Sequence, residues 1–180
     1  MVRKNDIKIS TGVGIWVGDA GSNPSIDGNV IEQHNDGISI DTNASASIIQ
    51  NNTIRLCQFR GLYLGSGSPT ISTNTIKDNL AEGIVINAGL SPVIINNTIT
   101  NNAPSGLGLA VQPNSPPTLT ITGNTLSGNG GFNLNIYAPT VNLSSYTVNA
   151  QRNYWGTIDP LAISAKIHDN TKNSFTPFAD

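Results

Sequence analysis

The chain has 180 residues, of which 11% are charged, and its formal net charge is −2. That length suits one domain. The charge is too small and of the wrong sign for a nucleic-acid partner, which needs Lys and Arg to meet phosphate. No run of 18 apolar residues occurs, so no membrane insertion by an apolar helix is expected, and the lone cysteine, Cys57, excludes an internal disulfide.

Residues 1–6 are polar and hold no apolar signal stretch, so the chain reads as a processed form or as a piece of something longer. From Asn5 onward the sequence repeats. Asn5-Asp6-Ile7 is followed by Gly14-Ile15-Trp16-Val17 and then by Pro24 and Ile26. The order returns as Asn29-Val30-Ile31, Gly37-Ile38-Ser39-Ile40 and Ser47/Ile49. It returns again as Asn52-Thr53-Ile54, Gly61-Leu62-Tyr63-Leu64 and Pro69/Ile71, then as Asn74-Thr75-Ile76, Gly83-Ile84-Val85-Ile86 and Pro92/Ile94. Asn97-Thr98-Ile99 leads to Gly106-Leu107-Gly108-Leu109 and Leu119/Ile121, and Asn124-Thr125-Leu126 to Gly131-Phe132-Asn133-Leu134 and Val148/Ala150. Asn153-Tyr154-Trp155 closes the series, and the steps between these asparagines are 24, 23, 22, 23, 27 and 29 residues.

A fixed period over nearly the whole chain means stacked repeats. Apolar residues alternate within each short segment, which is strand periodicity with one face buried. The segments are rich in β-branched residues, Asn and Gly and poor in helix formers, so each repeat is three short strands joined by turns. A leucine-rich repeat would need a different leucine spacing and a helical return, and a six-residue coil does not divide these steps beyond the first. A right-handed parallel β-helix fits best: all-β, single-stranded, about six to seven coils. Asn5, Asn29, Asn52, Asn74, Asn97, Asn124 and Asn153 would form a structural ladder. Each is expected at a corner with positive φ, bonded to its neighbours above and below. The Gly before each first strand is expected to relax another corner.

This pattern resembles the right-handed parallel β-helix repeats of the pectin-lyase-like superfamily, most closely secreted bacterial and archaeal proteins of the NosD-like type. The resemblance covers residue 5 to about 178. The β-helix is expected over 1–156 and a C-terminal cap over 157–180. The segment Asn153-Tyr154-Trp155-Gly156-Thr157-Ile158-Asp159-Pro160, with Ile163, Ile167 and Asp169, looks like the terminating segment of such proteins. Asp159 suits an N-cap and Pro160 the first helical position. Leu161, Ile163 and Ile167 would then face the open end of the stack, with Phe175-Thr176-Pro177-Phe178 as further apolar cover. The N-terminal end shows no comparable cap, so end-to-end self-association through the N-terminal coil, or an upstream coil, is expected there. The resemblance implies an extracellular or cell-surface location.

It also implies that polysaccharide meets the outer face of the first strand. Outward positions there are Trp16, Ser39, Tyr63, Val85, Gly108 and Asn133, with Asp41, Asn87 and Asn135 two residues on. Trp16, Tyr63, Asp41 and Asn87 are the candidate carbohydrate-binding residues; ordinary packing on a solvent face is the other account of them. Asp36, Arg60 and Glu82 precede successive glycines. If the chain is an enzyme, a polysaccharide lyase, glycoside hydrolase or epimerase, these three are the candidate catalytic set, with the carboxylates ~10 Å apart. Otherwise they form a salt-bridge ladder.

Other chemistry finds less support. Ser10, His34, Cys57, Asn79, Asn102 and Asn129 form a second polar row, in which His34 and Cys57 read either as a nucleophile pair or as members of a bonded stack. His34 and His168 are not spaced as metal ligands, so no metal and no cofactor is expected. A Thr row (Thr53, Thr75, Thr98, Thr125) invites an ice-binding reading, but it is single and interrupted. The leading expectation is a non-catalytic module, a stalk or polysaccharide-contacting segment, with the polysaccharide-acting enzyme as the alternative.

Overall fold

The computed structural model describes residues 1–19, 21–41, 47–110, 119–137, 147–169 and 178–179. Each coil gives one strand to each of three parallel sheets. The first sheet runs from Val2–Arg3 through Ser25–Asp27, Ile48–Gln50, Thr70–Ser72 and Val93–Ile95 to Thr120–Thr122. The second holds Asp6–Lys8, Val30–Glu32, Thr53–Arg55, Thr75–Lys77, Thr98–Thr100 and Thr125–Ser127. The third holds Ile15–Val17, Ile38–Ile40, Leu62–Leu64, Ile84–Ile86, Ser105–Ala110, Phe132–Tyr137 and Ile167–His168. Equivalent residues pair in register, as in Ile54↔Ile76↔Ile99↔Leu126. Inside, these columns of Ile and Leu are fully buried, each side chain contributing about 1.5–3 kcal/mol.

The asparagine ladder is continuous. Each side-chain Nδ2 donates to the Oδ1 of the next asparagine at 2.9–3.0 Å, from Asn5 to Asn153. The same Oδ1 accepts the backbone N–H of the preceding asparagine at 2.8–3.0 Å. The second hydrogen of each interior amide goes to a carbonyl of the preceding coil, as from Asn74 to Ile49 at 2.8 Å. Asn29, Asn52, Asn74, Asn97 and Asn124 are buried, whereas Asn5 at the open end is exposed.

The corner conformation departs from expectation. None of the seven ladder asparagines has positive φ. The residue before each does: Lys4, Gly28, Asn51, Thr73, Asn96, Gly123 and Arg152, with φ between 53° and 69°. A left-handed residue turns the chain, and the next side chain then points inward as an amide. The second polar row is built the same way, after Ile9, Gln33, Leu56, Asp78, Asn101 and Gly128. The glycines before the third-sheet strands also serve another purpose. Gly14, Gly37, Gly61, Gly83 and Gly106 are not at positive φ. A Cβ there would lie 2.5–2.9 Å from a backbone oxygen of the next coil, so they are required for close approach.

The C-terminal end is covered differently from the expected helix face. Asp159 does cap a helix over Pro160–Ala165, accepting the Leu161 N–H at 3.0 Å. No residue of that helix is fully buried: Leu161 is 81% exposed and Ile163 only half-buried, and Ile158 just before the cap is 91% exposed. Ile167 is not on it, but pairs with Leu134 as part of the seventh strand of the third sheet. Coverage comes from this extra strand and from single bridges of Asn149 to Thr120 and Tyr154 to Thr125. Of the expected apolar cover, residues 175–177 lie outside the described residues, and Phe178 pairs through its backbone with Thr147.

The ladder makes a stability difference measurable. Asn74→Ala leaves a buried backbone N–H, the Asn97 Oδ1 and the Ile49 carbonyl short of partners, and should cost about 3 kcal/mol in chemical denaturation. Asn5→Ala, at an exposed end, should change stability by less than about 0.5 kcal/mol. Thr73→Asn, relieving a β-branched residue at φ 53°, should stabilise by about 0.5–1 kcal/mol. Equal losses at Asn5 and Asn74 would contradict the buried-ladder account.

Candidate functional site

The outer face of the third sheet gathers most of the residues singled out in the sequence. Its register places Trp16, Ser39, Tyr63, Val85, Gly108, Asn135 and His168 side by side. Asn135, not Asn133, occupies the outward position in the sixth strand. Asn133 pairs at the corner in place of the usual glycine and is buried. It accepts from Asn129 Nδ2 at 3.0 Å and donates to the Trp155 carbonyl at 3.3 Å. The inward residues of that strand are Leu134 and Ile136. The sequence held the signal for this. The corner residue falls nine positions after the ladder asparagine in the coils of Asn52, Asn74 and Asn97, and nine after Asn124 is Asn133 rather than Gly131.

Three aromatic rings lie down on this face, each against a glycine and each held by its polar tip. The Trp16 indole covers Gly18, where a Cβ would fall 2.0 Å from a ring carbon. Its Nε1 donates to Asp41 Oδ2 at 2.6 Å, and Ser39 Oγ donates to the same oxygen at 2.8 Å. Trp16 as a whole remains 63% exposed. Tyr63 leans over Gly65, its hydroxyl accepting from Asn87 Nδ2 at 2.9 Å. Tyr137, which sequence reading missed, lies over Gly108 and donates to Glu82 Oε1 at 3.2 Å. Burial, with the charge of Glu82 behind it, raises the Tyr137 pKa above the ordinary phenol value. Phe132 stacks on His168 at 5.2 Å, and His168 Nδ1 lies 2.8 Å from Asn135 Oδ1. Thus Trp16 and Asp41 form one group, Tyr63 and Asn87 another.

The charged row resolves into a pair and a single. Asp36 accepts from Arg60 Nε at 3.0 Å, from Nη2 at 2.8 Å and from its backbone N–H at 3.0 Å. The guanidinium also lies 4.0 Å over the Tyr63 ring, a cation–π contact. Burial opposes the Arg60 charge, but the bonds and charge of Asp36 prevail and raise its pKa. Glu82, by contrast, accepts from the Tyr137 hydroxyl. An acid–base role for Asp36 would therefore have to displace Arg60.

His34 and Cys57 sit in the polar column. The His34 Nε2 lies 3.2 Å from the Ile7 carbonyl, which makes it the donor, and Nδ1 has no partner among the described residues. The Cys57 thiol is fully buried, and its pKa is pushed up to about 11, by burial first and the Asp36 charge further. A thiol so held is not an activated nucleophile. Its backbone N–H donates to Asn79 Oδ1 at 3.0 Å, and Asn79 and Asn102 continue the column at 2.8 and 3.2 Å, so the bonded stack is the arrangement present. Among the described residues no group of three or more His, Cys, Asp and Glu could hold a metal ion. The Thr row of the second sheet is in register but adjoins Glu32, Arg55 and Lys77 on the same face, unlike a uniform ice-facing surface.

The description "right handed beta helix region" matches residues 1–154, and the chain belongs to that family. The fold is accordingly a right-handed parallel β-helix. A search of curated proteins and a search of solved structures each returned no match.

Gly18→Ala tests the flattened indole. The added Cβ must displace the ring and break the Asp41 bond, so Trp16 emission should shift to longer wavelength with little loss of melting temperature. An unaltered spectrum, read against a Trp16→Phe control that removes the Trp155 contribution from doubt, would contradict the packing described.

Proposed function

We propose that this chain is a non-catalytic β-helix module of an extracellular or cell-surface protein, of the NosD-like secreted type, that contacts polysaccharide along the outer face of its third sheet. The observation that carries the reading is Trp16, 63% exposed as a residue, with its indole flat over Gly18 and fixed by Asp41. A ring held this way has lost its rotamer freedom before any ligand arrives, so stacking a sugar on it costs little further ordering. Asp41 and Asn87 stand beside the rings as groups able to bond hydroxyls. Tyr63 contributes through its Arg60-covered ring and its hydroxyl, and Tyr137 extends the aromatic row towards the cap.

A polysaccharide-acting enzyme using Asp36, Arg60 and Glu82 is the competing account. The triple hydrogen bond from Arg60 to Asp36 supports a structural pair over an acid or base. The two accounts separate in one experiment. Glycan-array binding should fall by about tenfold or more in Trp16→Ala, and less in Tyr63→Ala, with no product released from any glycan bound. Turnover of a polysaccharide that disappears in Glu82→Gln would overturn the module reading.

A further inference from the structure

We infer that the polymer this face takes is neutral rather than a polyuronate, an inference that rests on the carbohydrate reading above. The charges along the aromatic row carry it. Asp41 is bonded to the Trp16 ring itself and Glu82 to Tyr137, so a sugar stacked on either ring lies within a few ångströms of a carboxylate. Asp19 stands exposed just beyond Gly18, beside the same indole. Such spacings fall well inside the screening length of about 10 Å at 0.1 M salt.

Among the described residues, the cations at this face, Arg60 and Lys166, are already engaged by partners within the chain. Arg60, the guanidinium among the central coils of this face, is bonded to Asp36 and sits 4.0 Å over the Tyr63 ring. Lys166, at the cap end, donates to the backbone carbonyls of Asn129, Gly130 and Gly131. Arg3, Lys8, Arg55 and Lys77 belong to the other two sheets and pair with acids there. A polyanion would therefore meet like charge at both ring anchors. The hydroxyls of a neutral sugar would meet acceptors instead, since an ionised carboxylate only accepts and takes O–H donors strongly.

Affinity electrophoresis and calorimetry of the full chain with mixed-linkage glucan, galactomannan and arabinan, and with polygalacturonate and alginate, test this. Runs at about 0.01 M salt, where the screening length is about 30 Å, and about 1 M, where it is about 3 Å, expose the charge effect. At least one neutral polymer should bind in a Trp16-dependent way. The uronans should bind at least about tenfold more weakly at low salt and gain as salt rises. Asp41→Asn and Glu82→Gln should each narrow the gap. A uronan bound through Trp16 more tightly than every neutral polymer at low salt would overturn the inference while leaving the carbohydrate reading intact. No Trp16-dependent binding to any polymer would overturn both.

Discussion

The buried carboxamide is the interaction on which this molecule depends. Strands of three residues are too short to hold a coil in place by sheet bonding alone, and each corner turns main-chain polar groups towards the interior. An asparagine amide has two donors and an acceptor at one coil's reach. Asn74 thus accepts a backbone N–H of the coil before, donates to a carbonyl of that coil and donates to the amide oxygen of the coil after. Left unpaired, any of these groups would carry a desolvation cost of about 1–3 kcal/mol. The in-register columns of Ile and Leu, and hence the fixed order of residues on each outer face, follow from that vertical alignment.

On the outer face of the third sheet the described rings are held rigid. Glycines two residues on, or in the adjoining coil, leave the space in which rings recline. Carboxylates and an amide then tether the ring tips. The result is an extended strip of fixed rings along the outer face, the geometry on which the proposed polysaccharide contact rests.

Most of the architecture was legible in the chain, because a solenoid writes its period directly into residue order. The ladder, the three strands per coil and the parallel stacking all follow from Asn-x-apolar and Gly-apolar-x-apolar. Finer details were hidden for physical reasons. Periodicity shows that a corner exists but not which of two adjacent residues bends it, and the bend falls on Thr73 rather than Asn74. Glycine serves both turning and crowding, and only the neighbouring coil reveals that Gly83 meets a carbonyl. Leu161 looked like a core residue because its helix was expected to lie over the stack; the third sheet instead adds a strand at Ile167. Tyr137 escaped notice because Gly131 was taken as the corner of the last coil, which shifted that strand by two residues.

The exchange of glycine for Asn133 at that corner also decides where the second polar column ends. In the coils before it, Asn79 and Asn102 each hand their amide on to a successor one turn away. At Asn129 the receiver is only four residues downstream, and the amide after that ends on the Trp155 carbonyl. The second polar column thus ends on the main chain of the next coil, and one exchange in the repeat unit closes it while the neighbouring asparagine ladder runs on to Asn153.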